Sequence, residues 1–270
     1  MAGLRRLDAE LVRRKLARSR LEAQSLVEQG LVLVDGVVSP KYTRQVSESV
    51  SVVVTDPPTE RWVSRGAYKL LGALEAFAHA GLTLEGKHVL DAGASTGGFT
   101  QVALKAGALA VAAVDVGYGQ LAWELRQDPR VICIERFNVR NLMPSDLPFA
   151  VDSVVADLSF ISLRTVLPAL VACAQPNADL LLMVKPQFEV GRENIGDGVV
   201  RDPDLRIGAV EGVIEKAQTL HAGLMGVSAS PLPGPEGNVE YFVWLRLGAA
   251  IVSSEQVASA VQVAVQEGPK

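Results

Sequence analysis

From residue 88 to 246, strand-sized apolar runs alternate with helix-sized segments, and that rhythm narrows the folds open to the chain more than any other feature. The spacing predicts strands over 88–91, 110–115, 131–135, 153–157 and 178–185, and helices over 98–106, 120–126, 163–172 and 206–221. Later strands are expected near 226–230 and 238–246, with flanking helices at 67–80 and 253–266. Parallel strands joined through helices need cover on both faces, so the expected fold class is α/β, a doubly wound, Rossmann-like sheet. With 49% apolar residues among 270, a core of that size can be buried. No internal repeat or low-complexity tract interrupts the pattern.

The first strand-to-helix junction, His88-Val-Leu-Asp-Ala-Gly-Ala-Ser-Thr-Gly-Gly-Phe-Thr100, carries most of the functional information. Gly93, Gly97 and Gly98 let the backbone turn sharply and approach a ligand, and the helix start presents free N–H groups. A dinucleotide-binding turn reads G-x-G-x-x-G. Here Ala94 separates Gly93 from Ser95, and Asp91 stands at the strand end. A carboxylate there suits a cationic or amine-bearing ligand better than a diphosphate, and S-adenosylmethionine, with its ammonium and sulfonium charges, is such a ligand. At the end of the next strand Asp115 is placed to accept hydrogen bonds from ribose hydroxyls, Asn138 to touch an adenine edge, and Asp157 to reach the same rim. The expected cofactor-binding set is therefore Asp91, Gly93, Ser95, Gly97, Gly98, Phe99, Asp115, Asn138 and Asp157. Any one of these carboxylates alone is equally well read as a cap or turn residue.

The N-terminal segment is different in kind. Apolar positions Leu7, Leu11, Val12 and Leu16 recur at helical spacing, and a second helix begins at Ser19, where Ser19 and Glu22 form an S-x-x-E capping box and Gly30 marks the end. Residues 31–34, Asp35-Gly36 and Val37-Val38 read as a hairpin, with a further strand at 50–54. The whole chain has a net charge of −4, yet its first 69 residues hold 12 Lys+Arg against 8 Asp+Glu. Arg5, Arg6, Arg13, Arg14, Lys15, Arg18 and Arg20 crowd the first twenty positions, enough for a phosphate-contacting face, or simply for a solvated one. Pro57 and Pro58 then break any strand ladder. The expected division is a small module over 1–58, a linker over 59–65 and the α/β domain over 66–270.

Two resemblances sharpen this reading. The run from Arg6-Leu-Asp to Ser19-Arg20, followed by Gly30-x-Val-x-Val-Asp-Gly36, is similar to the RNA-binding domain named after ribosomal protein S-four, over roughly the first 55 to 60 residues. That resemblance implies that Arg6, Arg14, Lys15, Arg18 and Arg20, with Arg65 at the end of the linker, lie against structured RNA. Further on, Ser64-Arg-Gly-Ala-x-Lys69, Asp157-Leu-Ser-Phe-Ile-Ser162, Lys185-Pro-Gln-Phe-Glu189 and Glu240 resemble, in order and context, the Lys-Asp-Lys-Glu tetrad of ribose 2'-O-methyltransferases similar to FtsJ. Together with Asp115-Val-Gly-Tyr-Gly-Gln-Leu121, these motifs make nearly the whole chain resemble the TlyA family. The resemblance implies S-adenosylmethionine as cofactor, ribosomal RNA or a ribosomal subunit as partner, cytidine ribose as the methyl acceptor and Lys69, Asp157, Lys185 and Glu240 as catalytic residues. The extended basic start looks like the longer family type, which acts on both ribosomal subunits.

The chemistry fits those residue types. A neutral ribose 2'-hydroxyl is a poor nucleophile, so transfer needs a group that handles its proton and an in-line placement of oxygen, methyl and sulfur. Lys185, at the carboxyl end of an apolar strand on the same rim as Asp157, is the candidate base. Desolvation and a second cation at Lys69 favour its neutral form, whereas Asp157 and Glu240 favour the charged one, which would orient the hydroxyl instead.

Other chemistries are less well served. An amine methyltransferase would place an Asn/Asp-Pro-Pro-aromatic clamp where Asp157-Leu-Ser-Phe160 stands. Carbon methylation of cytosine would need a nucleophilic thiol, but Cys133 and Cys173 sit in apolar contexts. His79, His88 and His221 lack metal-ligand spacing, so no metal is expected. A nonenzymatic RNA-binding or assembly factor would not need the tetrad. A membrane-lytic protein, as the family's older haemolysin label suggests, would need a spanning or strongly basic amphipathic segment, and no run approaches roughly 18 uncharged residues. With two cysteines and no apolar leader at the start, the expected compartment is a reducing cytoplasm.

Overall fold

The computed structural model describes residues 4–55, 62–191, 195, 198–234 and 236–268. The N-terminal part holds β1 (Arg5–Arg6), α1 (Leu7–Arg13), α2 (Arg20–Glu28), β2 (Val32–Val34), β3 (Val37–Val38), β4 (Gln45–Val46) and β5 (Val52–Val54). Its helices pack on a three-stranded sheet of order β3-β2-β5, while β1 pairs with β4 as a separate ribbon. Leu7, Leu11, Ala23, Val27, Val32 and Val34 form a core of its own. Ser19 caps α2 by accepting from Glu22 N at 3.1 Å, but the Glu22 carboxylate reaches back to Arg18 N at 2.6 Å rather than to Ser19 N, so the expected box closes one residue early. Asp35 and Gly36, at φ +52° and +78°, make the primed turn that the twist of a two-residue hairpin needs.

The larger part runs α3 (Gly66–Ala78), β6 (His88–Ala92), α4 (Gly98–Lys105), β7 (Ala110–Val114), α5 (Trp123–Arg126), β8 (Val131–Ile134), β9 (Val151–Ala156), α6 (Leu163–Cys173), β10 (Ala174–Val184), α7 (Pro186–Glu189), α8 (Pro203–Gln218), β11 (Ala222–Ala229), β12 (Tyr241–Leu247) and α9 (Ser254–Glu267). Seven strands form one sheet of order β11-β12-β10-β9-β6-β7-β8, parallel except for β12, which runs against both neighbours. Alternate residues feed opposite faces. Leu180, Leu182 and Val184 of β10 join Tyr241, Val243 and Leu245 of β12 under α6, α8 and α9. Leu181, Met183, Phe242 and Trp244 join α3 and α4 on the other side. Both faces are therefore dry, which is why these strands are near-continuous apolar runs.

Connections from β6 leave to one side through α4 and those from β9 to the other through α6, so the carboxyl ends of β6 and β9 flank the point where strand order reverses. Such a crevice is where open α/β sheets bind ligands. The differences from the expected elements are local. β10 starts at Ala174 and β11 at Ala222, earlier than apolar runs alone indicate, and β11 needs a register shift at Gly226, where a side chain would strike the ring of Phe77 at 2.7 Å. Glu240 precedes β12 instead of lying within it. Of the expected linker 59–65, residues 59–61 lie outside the described residues. From Trp62 the chain is already docked on the α/β domain, with Val63 N donating to Gln101 Oε1 at 2.8 Å and Lys105 over the Trp62 ring.

Candidate active site

The turn after β6 is shaped by left-handed backbone at Gly93 (φ +87°), Ser95 (+48°) and Gly97 (+97°). A side chain at Gly93 would sit 2.7 Å from Asp157 O, and one at Gly98 would sit 2.3 Å from Ser64 Oγ, so glycine is what lets the β6, β9 and α3 segments converge. Asp115, just past β7, accepts Ser95 N at 2.8 Å and Gly117 N at 2.6 Å, tying the two loops together. Asn138 caps a short 3-10 turn by accepting Arg140 N at 3.0 Å. Gly93, Ser95, Asp115, Asn138 and Asp157 line one cavity of about 440 Å³. Five of the nine expected cofactor residues thus share a wall.

The other four are placed differently. Gly97 caps the start of α4, and Gly98 and the buried Phe99, whose ring stacks on Phe242, line the neighbouring recess that also holds Lys69. Asp91 is wholly buried under the turn. Its Oδ2 accepts Thr100 Oγ1 at 2.6 Å, while Oδ1 has no partner among the described residues. Burial above all, with the nearby Asp157 and Asp115 carboxylates adding to it, pushes its pKa up to about 7. The raised value means that the folded state favours the proton. That contribution to stability is complete below about pH 4 and is lost as pH rises through about 7, a change of order 4 kcal/mol. Asp91→Asn, which keeps an acceptor for Thr100, is expected to flatten this decline in urea midpoints measured at pH 5 and pH 8. The fit to a cationic, ribose-bearing ligand rests on the Asp115 and Asp157 carboxylates in the cavity wall and on the Gly93 cradle that a Cβ would fill.

The four expected catalytic residues come together as two ion pairs at the edge of this cavity. Lys69, on the buried face of α3, donates to Glu240 Oε2 at 2.5 Å. Lys185, directly after β10, lies 2.6 Å from Asp157 Oδ1 and donates to Ser159 Oγ at 2.8 Å. Lys69, Asp157 and Lys185 line a recess of about 290 Å³ with Ser64, Arg65 and Ser159. Lys185 and Glu240 also face a larger cavity of about 650 Å³, walled by Phe160, Gln187 and Phe188. Lys185 is thus shared by a cofactor-side recess and a second, wider opening.

Phe160 and Phe188 were not among the expected site residues. Phe160 is 91% exposed, sits at φ +63° and meets the Phe188 ring at 5.3 Å between centroids. The two rings, tilted by 49°, present an exposed aromatic face on strained backbone at the mouth of the wide cavity. The signal was in the motifs: each Phe follows its acidic or basic partner, Asp157 or Lys185, by three residues. Glu189 holds the two loops together by accepting Ser162 Oγ and Leu163 N, both at 2.6 Å.

The basic N-terminal residues divide in two. Arg6 and Arg20 are held by the buried Asp8, Arg6 through two bonds of 2.9 and 3.2 Å, while their outer edges stay open. Those cations and Gln24 keep the Asp8 carboxyl down at about 2 despite its burial. Lys15 and Arg20 are exposed, and Arg18 is 94% exposed. Arg14 is not available: its guanidinium donates to Glu10, Val50 O, Ser47 O and Glu48 O. Arg65 is turned inward to donate to Pro233 O at 2.8 Å, at the recess rather than on the outer surface. Arg18→Glu/Arg20→Glu is therefore expected to weaken RNA binding and to flatten its log–log salt slope by about 2. Arg14→Ala should instead lower the thermal midpoint and leave the salt slope unchanged, as filter binding across a salt series would show.

Residues 62–247 match the model of the FtsJ-like methyltransferase family, and residues 5–49 match the S4 domain. The chain is 55% identical, over 100% of both chains, to a protein of Mycobacterium tuberculosis named 16S/23S rRNA (cytidine-2'-O)-methyltransferase TlyA. It is 40% identical to YqxC of Bacillus subtilis, a candidate rRNA methyltransferase, over 89% of this chain and 85% of that one. A solved structure of a candidate hemolysin from Streptococcus thermophilus superposes with a TM-score of 0.74 at 34% identity, covering 99% of this chain and 98% of the other. Among the described residues no helix is long and apolar enough to cross a membrane.

Proposed function

The chain belongs to the FtsJ-like methyltransferase family, with an S4 domain ahead of the catalytic one, and from that premise we propose that it methylates cytidine ribose 2'-hydroxyls in ribosomal RNA, using S-adenosylmethionine. The observation that carries the reading is the meeting of the Lys69–Glu240 and Lys185–Asp157 pairs between the ligand cavity and a wider opening. When bound, the cofactor supplies a methyl group activated by a sulfonium. Asp115 would hold its ribose and Asn138 its adenine, while the Gly93–Gly97 turn admits its amino-acid end. Phe160 and Phe188 would stack the target base, leaving its ribose at Lys185. There Lys185 Nζ either accepts the 2'-hydroxyl proton or, charged, stabilises the negative charge growing on the oxygen. Lys69, held by Glu240, would keep a positive charge in the recess beside Lys185, which favours the neutral amine there. The exposed arginines of the S4 domain would grip the surrounding RNA.

The full-length 16S/23S relative favours both subunits as substrates. Incubating the protein with labelled S-adenosylmethionine and separate small and large subunits, then digesting and weighing the nucleosides, tests this. 2'-O-methylcytidine from both is expected. A base-methylated product would overturn the assignment of the tetrad, and cofactor binding without transfer would point to an assembly factor.

A further inference from the structure

A lysine amine has four tetrahedral directions, one of which is its own side chain. At Lys185 one of the other three is taken by Ser159 Oγ, to which the amine donates at 2.8 Å; Asp157 Oδ1 lies 2.6 Å away as an ion-pair partner without accepting a hydrogen bond. The ion pair alone leaves the amine free to rotate about its last bond. The hydrogen bond to Ser159 fixes that rotation and, with it, the two directions that remain. Among the described residues Ser159 alone lines all three openings: the cavity with Asp115, the recess with Lys69 and the wide cavity with Phe160 and Phe188. Its hydroxyl therefore stands where they join.

The surroundings hold that geometry. Glu189 fastens the loop after β9 to the loop after β10 through Ser162 Oγ and Leu163 N, and Arg164 returns two bonds to Glu189, at 3.2 Å to the carboxylate and 2.6 Å to the backbone oxygen. Immediately after Ser159 the chain enters left-handed backbone at Phe160, a conformation that a bulky residue adopts only when its neighbours impose it. The strain turns the Phe160 ring outward and leaves Ser159 facing Lys185.

We propose that Ser159 is a positioning residue that fixes the rotation of the Lys185 amine and so aims one of its open directions at the 2'-oxygen. By accepting a hydrogen bond from the amine, it holds toward the substrate a lone pair when the amine is neutral and an N–H when it is charged. The same direction serves both protonation states, so the aim does not depend on which of them reacts. This rests on the 2'-O-methylation reading above.

The test is single-turnover transfer from labelled S-adenosylmethionine to ribosomal subunits by the wild-type full chain, Ser159→Ala and Ser159→Thr, with cofactor affinity, RNA affinity and thermal midpoint measured on each. Ser159→Ala is expected to slow transfer about 10- to 100-fold, the loss of one charge-assisted hydrogen bond in the transition state, with both affinities and the midpoint unchanged. Ser159→Thr, which keeps the hydroxyl, should restore most of the rate. Wild-type rates in Ser159→Ala, a loss matched by weaker cofactor or RNA binding, or failure of Ser159→Thr to recover would each overturn the positioning role. No 2'-O-methyl product from the wild type would instead defeat the underlying reading.

Discussion

Lys185→Ala is expected to lower the rate of methyl transfer by about 10²- to 10⁴-fold while leaving S-adenosylmethionine affinity within a few fold of the wild type. The split follows from placement. Lys185 faces the recess and the wide cavity, whereas the cavity walled by Asp115 and Asn138 is lined without it. Removing the amine also leaves Asp157 without its cation, but Asp157 is partly open to water and can be solvated there. The fold should therefore survive. Single-turnover transfer and equilibrium dialysis on the same preparation separate the two effects. A variant that transfers at the wild-type rate would remove Lys185 from the chemistry, and one that no longer binds cofactor would make it a binding residue.

Glu240→Ala should be the most destabilising substitution in the site. Lys69 and Glu240 have side chains only 6% and 1% exposed, and the pair is closed by one short bond. Truncating the acid strands a buried ammonium, which typically costs about 3–5 kcal/mol. A well-packed apolar pair of similar volume carries no such penalty. The double variant Lys69→Met/Glu240→Leu is therefore expected to recover most of the urea midpoint lost in Glu240→Ala, yet not the methyl transfer. Stability and activity would then part company in one measurement series. If the double variant also recovered activity, the pair would be scaffolding only.

Much of the candidate site's layout could be read from residue order because the rim of an α/β sheet is local in sequence. Asp115, Asp157 and Lys185 each stand at the first position beyond a strand, and a strand end can be located by where an apolar run stops. The Gly93–Gly98 turn announces itself by composition. Asp91 shows the limit of that logic: a carboxylate one residue before the strand end points down into the sheet instead of out to the ligand, and a one-residue difference in register exchanges the two. Arg14 shows another. Its charge is indistinguishable in sequence from that of Arg18, but the carbonyls that consume it come from residues 47, 48 and 50, on a segment more than thirty positions away.

The sequence by itself determined the α/β class, the separate basic module, the glycine turn after β6 and the four candidate reacting side chains, since periodicity, glycine placement and strand ends are properties of short segments. Only the tertiary structure decided which groups touch. Lys69 finds Glu240 across 171 positions, the Phe160–Phe188 pair is assembled from two loops, and Ser159 comes to lie against Lys185. These contacts depend on strand order and on the reversal of that order between β6 and β9. Strand order is set by how both faces of the sheet are covered at once, a property of the whole packed core that no window of sequence contains.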